Sequence, residues 1–360
     1  MIRFDDTFEA FNTVLTFSLC LEGGEGTGGA RSVERAKEAE GDEGAASNRE
    51  GVPAQVSDAF HELRALCERY ENLFSRTIPA SDISRINSAG GEAVAVAPET
   101  AQMVARALTY CEKSGGVFDV TAGCLTRLWD FHQGIVPEQQ TLQQAVQRVD
   151  WRTVNVFQEN DTWYVQLADP AAALDVGGIA KGWIADELGK YLQRKGFEDF
   201  LINLGGNVLA HGHNAQGKPW TIGITNPFPD QSEDVVVRCT GESVVTSGTY
   251  ERCFQKNGVL MHHILDPQTG FPVVTDAVGA TIVCEKSIDA EGFSTTALAL
   301  GVESGLAFCK AQPEIISAIF IDVRGNVHTY EAEALKAHSR VEGVGICPRR
   351  TKQGSSRINN

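Results

Sequence analysis

The chain has 360 residues, 42% of them hydrophobic and 22% charged, enough for a sizeable core in one large domain or two ordinary ones. Acids outnumber bases 47 to 31, giving a formal net charge of −16. That balance excludes a nucleic-acid protein, whose binding face should be basic, and argues against docking on an anionic membrane surface.

Residues 1–21 begin the domain, and the apolar stretch 11–21 reads as a strand. The residues before it carry more acid than base, and no small-residue cleavage site follows, so a signal peptide is not expected. Residues 22–54 (EGGEGTGGARSVERAKEAEGDEGAASNREGVPA) are almost all Gly, Ala, Ser and charged residues. They bury too little apolar surface to offset their ordering entropy, which predicts a disordered low-complexity insertion. Gly24, Gly26 and Gly29 match GxGxxG behind an apolar strand. The following ARSVERAKEAEG has no apolar helical face, however, so a dinucleotide fingerprint is rejected.

The folded domain is expected over 55–336. Val56, Phe60, Leu63, Cys67, Tyr70 and Phe74 recur at helical spacing and predict a helix over 56–75. A second helix is predicted over 98–114, stopped by Gly115-Gly116, and a short one over 139–148. Residues 151–157 and 162–167 read as a hairpin, and 180–196 as a helix ending at Gly196. Strands are expected at 199–212, 219–225, 234–239, 242–246, 259–265 and 277–284. A helix over 291–311 and strands at 315–322 and 326–330 complete the domain. The polar tail follows residue 336, and 340–360 should fray. Helices and strands mix without a regular βαβ alternation. The fold class is therefore α+β, with a largely antiparallel sheet core and packed helices.

No run approaches the roughly 18–20 apolar residues of a membrane span. Nine cysteines, an odd number with wide spacing and no CxxC, point to neither a zinc site nor a disulfide framework. A reduced, cytoplasmic setting is expected.

Four glycine-rich or acid-bearing segments stand out: Gly115–Gly123, Asp175–Gly182, Asn203–Asn207, and Thr246–Tyr250 followed by His262–Gly270. In Asp175-Val176-Gly177-Gly178-Ile179-Ala180-Lys181-Gly182 a Gly-Gly turn runs straight into a helix. Exposed N–H groups and Lys181 there suit a phosphate, although a plain helix start would read the same. It is not a Walker A loop, because Gly182 stands where Ser or Thr should. In His262-His263-Ile264-Leu265-Asp266-Pro267-Gln268-Thr269-Gly270, His263 suits a general base, with Asp266 either its orienter or a turn cap. Glu291 and Thr295, four apart, share one helical face and offer hard oxygens to Mg²⁺. The same pair also suits an N-terminal acid and a back-bonded threonine.

Taken in order, these segments resemble the ApbE-type family of FAD:protein FMN transferases. FDVTAGCLTRLWDF, DVGGIAKGWIAD, NLGGN, TSGTYER with HHILDPQTGFPV, and FSRTIPASDISRIN each match a family motif, over about residues 56–335. The resemblance implies a single two-lobed, T-fold-like domain. It also implies Mg²⁺-dependent transfer of FMN from FAD to a Thr or Ser of an acceptor protein, with AMP released. By the same resemblance Val117, Phe118, Asp119, Asp175, Lys181 and Leu265 fall at FAD contacts. The Gly178 carbonyl, Glu291 and Thr295 fall at metal-ligand positions, with Ser294 as an extra ligand, and His263 at the catalytic histidine. Two alternatives keep the fold: hydrolysis of FAD to FMN and AMP, and a non-catalytic FAD carrier. The family's metal carboxylate is usually Asp where this chain has Glu291, and Phe11-Asn12-Thr13 replaces its usual Met-Gly-Thr. Family acceptors carry a motif like D-x-x-[ST]-G-A-[ST]. Asp276–Thr281 comes nearest here but lacks the spacing, so the acceptor is expected to be another protein.

Overall fold

The computed structural model describes residues 1–22, 52–228, 233–332 and 345–348. The chain enters as a hairpin of β1 (Ile2–Ala10) and β2 (Thr13–Leu21), paired from Ile2↔Leu21 to Ala10↔Thr13. Phe11 and Asn12 close it, both at positive φ (54° and 57°). Two consecutive left-handed residues match the twist of a two-residue hairpin. The sequence placed a strand only at 11–21. The polar, charged run before it is an edge strand, and Asn12 sits at the turn.

The next elements are α1 (Ala54–Phe74), α2 (Asp82–Ser88), β3 (Val94–Val96), α3 (Pro98–Lys113), α4 (Gly123–Thr126) and α5 (Gln139–Val146). They are followed by β4 (Val154–Glu159), β5 (Thr162–Leu167), α6 (Ala180–Arg194), β6 (Asp199–Leu204), β7 (Asn207–His211), β8 (Trp220–Ile224) and β9 (Glu233–Cys239). The last are β10 (Ser243–Gly248), β11 (Cys253–Lys256), β12 (Val259–His262), β13 (Ala277–Cys284), α7 (Ser287–Lys310), β14 (Ile315–Asp322), β15 (Val327–Glu331) and β16 (Gly345–Pro348).

One antiparallel sheet runs β1-β2-β6-β7-β10-β13-β14-β15. Alternate residues of its strands feed two cores. Phe17, Ile282 and Phe320 point into the helical layer with Leu63, Leu188 and Phe293. Val244, Val283 and Ile319 point the other way, against Trp220, Val235 and Val237 of the small sheet β16-β9-β8. The expected mix of helices and antiparallel strands is what the molecule has.

Several boundaries differ from expectation for local reasons. The predicted strand 199–212 is two strands, folded back at Gly205 and Gly206 (φ 60° and 91°). A Cβ at Gly205 would stand 2.2 Å from Thr13 Oγ1, so only glycine fits there. The last helix starts at Ser287, earlier than residue 291, and kinks at Gly301 (φ 78°). The kink arises because Asp276 Oδ1 accepts from the Val302 N–H at 2.8 Å. The sequence reading omitted β1, α2, β3, α4 and β11, which are short or polar. Of the tail expected to fray, Gly345–Pro348 pairs with β9. Of the insertion read at 22–54, residues 23–51 lie outside the described residues. Among the described residues, no helix is long and apolar enough to cross a membrane.

Candidate functional site

The site forms where the starts of α6 and α7 meet the β6–β7 turn and the end of β10. Asp186 on α6 caps α7: its carboxylate accepts from the Ser287 N–H at 2.7 Å and the Ile288 N–H at 3.0 Å. Burial outweighs those bonds and pushes the Asp186 carboxyl up to about 6. Gly182 lets the helices touch. A Cβ there would stand 2.6 Å from the Ser287 carbonyl and 2.8 Å from the Glu291 Cβ.

Glu291, one turn into α7 and 5% exposed, is the hub. Its Oε1 pairs with the Lys181 ammonium, and its Oε2 accepts from the Asn207 side-chain amide. Asn207 in turn accepts from the Ser287 hydroxyl at 2.6 Å. Beside this lies a hydroxyl cluster: Ser247 Oγ is 2.9 Å from Ser294 Oγ and 3.4 Å from Thr295 Oγ1. Ser294 also donates to the Glu291 carbonyl at 3.1 Å. Glu251 faces the same space. Its carboxyl is raised, chiefly by burial and further by Glu291, while Lys181 and Arg252 oppose the rise. Asp289 points elsewhere, held by Arg106 at 2.6 Å and by the Tyr110 hydroxyl.

His263 follows β12. Its Nδ1 is enclosed without a hydrogen-bond partner. Burial, then the charge of Arg252, the neighbouring His262 and the charge of Lys181, press its pKa down to about 3. It is therefore a neutral imidazole at physiological pH. Asp266 spends its carboxylate on its own turn, accepting from the Gln268 N–H at 2.9 Å and the Thr269 hydroxyl at 3.1 Å. Of the two roles the sequence left open, the turn cap is the one its bonds describe.

The other predicted contacts form a neighbouring wall. Segments 117–120 and 175–178 are tied by the Asp175 N–H to the Val120 carbonyl at 2.8 Å. Asp175 also caps the Gly-Gly turn, accepting from the Gly177 N–H at 2.9 Å and Thr126 Oγ1 at 2.7 Å. Asp119 is 8% exposed and accepts from Thr121 Oγ1 at 2.6 Å and the Trp151 N–H at 3.2 Å. These two acids shape loops. Val117 lines a cleft of about 230 Å³ with Asp266, Gln268, Val273 and Leu300. Leu265 is buried and bridges to Pro272.

The donors fit a hard divalent cation. The Glu291 carboxylate on one turn of α7, and the Ser294 and Thr295 hydroxyls on the next with Ser247 beside them, are all oxygen donors. Among the described residues, no three His, Cys, Asp or Glu side chains are grouped to hold a metal. A cation here would depend on the single acid Glu291, on neutral oxygens and on oxygens of its ligand. Sequence reasoning gave no role to Asn207, Ser247, Glu251 or Ser287. Asn207, Ser247 and Glu251 stood inside quoted motifs, which was the available signal.

A family model described as the ApbE family matches residues 46–320. The chain is 35% identical over 283 residues to the FAD:protein FMN transferase of Treponema pallidum (strain Nichols), covering 74% of this chain and 78% of that protein. It is 36% identical over 260 residues to the FAD:protein FMN transferase of Klebsiella pneumoniae (strain 342), covering 71% and 79%. The flavin transferase ApbE from Vibrio cholerae superposes with a TM-score of 0.74 at 24% identity, over 93% of this chain and 98% of that one. The Pseudomonas stutzeri flavinyl transferase ApbE, in its apo form, gives 0.73 at 24% identity over 93% and 96%. At that identity the structural likeness speaks for the fold alone. The sequence match is stronger and spans every residue from Lys181 to Thr295, and the chain belongs to the ApbE family.

Proposed function

We propose that this chain is a Mg²⁺-dependent FAD:protein FMN transferase. It takes FAD, passes the FMN half to a Ser or Thr hydroxyl of another protein, and releases AMP. The observation that carries the reading is one stretch of α7: the Glu291 carboxylate, paired with Lys181, stands one turn before Thr295, whose hydroxyl lies with those of Ser247 and Ser294. Such a site suits a pyrophosphate, and a chain of net charge −16 needs local cations to hold one.

Glu291, Thr295, Ser294 and the Gly178 carbonyl are the groups that would hold Mg²⁺. The bound ion would offset charge on the pyrophosphate oxygens. Lys181 offers a mobile ammonium to a phosphate oxygen. Val117, Phe118 and Leu265 give apolar surface for FAD, while Asp119 and Asp175 hold the loops beside it. The acceptor hydroxyl attacks the FMN phosphorus, the P–O bond to AMP breaks, and AMP leaves. His263, a neutral imidazole, takes the hydroxyl proton. Asp266 fixes the turn that follows it. A reducing, cytoplasmic setting completes the reading, supported by Cys67, Cys111, Cys284 and Cys309, which are buried and free.

The test is incubation with FAD, Mg²⁺ and a domain bearing a D-x-x-[ST]-G-A-[ST] segment, followed by mass analysis of the acceptor. FMN ester on Ser or Thr with equimolar AMP is expected. Free FMN with an unlabelled acceptor would favour hydrolysis, and bound FAD with no AMP would favour a carrier.

A further inference from the structure

Glu291 has two partners of different kinds. Lys181 ends in a rotatable ammonium on a flexible stem, and its side chain is 25% exposed. An arriving phosphate can draw it away. Asn207 is 0% exposed and cannot leave. It is the first residue of β7, fixed by the Gly205–Gly206 turn before it and by strand pairing to Val245 beside it. Its amide is tied at both ends. Oδ1 accepts from Ser287, and Nδ2 donates to Glu291 Oε2, an atom that as a carboxylate oxygen only accepts. Ser287 and Glu291 are four apart on α7, so one amide clips two successive turns of the helix on the same face.

We infer that Asn207 is the positioning residue of Glu291: it holds Oε2 and so aims Oε1 at the cation position once Lys181 has moved to the ligand. The inference rests on the transferase reading. A glutamate has one more rotatable bond than an aspartate, so a carboxylate on that stem needs a fixed donor to keep one geometry. Removal of such an outer partner typically weakens metal affinity by about 10–100-fold.

The experiment uses Mn²⁺ as the probe, read by electron paramagnetic resonance, with the full chain and saturating FAD. The variants are Asn207→Leu, Asn207→Ala, Ser287→Ala, Glu291→Ala and the double Asn207→Ala/Glu291→Ala. Asn207→Leu keeps about the same volume and removes the donor. It should weaken Mn²⁺ binding about as much as Asn207→Ala, roughly tenfold or more. FAD affinity measured without metal should stay within about twofold of the wild type, since the Asn207 amide is spent on Ser287 and Glu291. Ser287→Ala should give a smaller loss in the same direction. The double variant should bind no worse than Glu291→Ala alone. Wild-type Mn²⁺ affinity in Asn207→Leu would overturn the inference and leave the transferase reading standing. Absence of Mn²⁺ binding by the wild type in FAD would overturn both. If Asn207→Ala does not fold, Asn207→Leu and Ser287→Ala decide.

Discussion

The Phe118 ring rests on Gly178: a Cβ built on that glycine would stand 3.1 Å from the ring. The Gly-Gly turn ahead of α6 and the loop after α3 thus share a surface that one methyl group would part. Gly178→Ala should displace the ring and strain the turn by about 1–3 kcal/mol. Urea unfolding should show that loss, and titration by flavin fluorescence should show weaker FAD binding.

Two glycine substitutions separate packing from composition. Gly182→Ala would press a methyl onto the Ser287 carbonyl and the Ile288 Cα at 2.6 and 2.7 Å. Neither atom belongs to a flexible side-chain end, so α6 and α7 must separate, and a loss of about 3 kcal/mol or more is expected. Gly223→Ala on β8 meets nothing within 4 Å and should change stability by less than about 0.5 kcal/mol. Unfolding midpoints of the two variants check the contrast.

His263 gives a pH signature. Its pKa in the folded chain is about 3, against about 6.5 for an unperturbed histidine. The unfolded chain therefore takes up a proton that the folded chain refuses. This contribution to stability is intact above pH ~6.5 and is lost as pH falls from there toward about 3. His263→Gln should flatten the acid side of the stability curve. For the same reason, the acid limb of kcat/KM should lie well below pH 6, because the free enzyme keeps a neutral imidazole there. A limb centred near 6.5 would point to another base.

The helical layer was legible because α1, α3 and α6 carry apolar residues at a regular period and stop at serine or glycine. The strands β13 and β14 read as continuous apolar runs because the sheet is covered on both faces. The site was legible only in part. Lys181, His263 and Glu291 are chemically conspicuous. Asn207 and Ser287 are ordinary polar residues until the chain brings positions 80 apart within 2.6 Å. Gly301 was invisible for the same reason: the helical run continues past it, and the carboxylate that accepts from the next N–H, that of Val302, is Asp276, outside the helix.

Removing the central acid should separate binding from turnover. Glu291→Ala takes away the one carboxylate of the proposed cation site, so transfer should fall by at least about 100-fold. Lys181 is then freed for the pyrophosphate, so FAD binding should persist. Chelation by EDTA should reproduce the loss in the wild type, and added Mg²⁺ should reverse it. Activity indifferent to both treatments would remove the metal from the mechanism.

The most direct measurement is the mass of an acceptor domain after incubation with the chain, FAD and Mg²⁺, beside parallel reactions with His263→Ala and Glu291→Ala. The account predicts one added FMN on a Ser or Thr, one AMP released per ester, and neither product in the two variants. An unmodified acceptor, or full labelling by both variants, would contradict it.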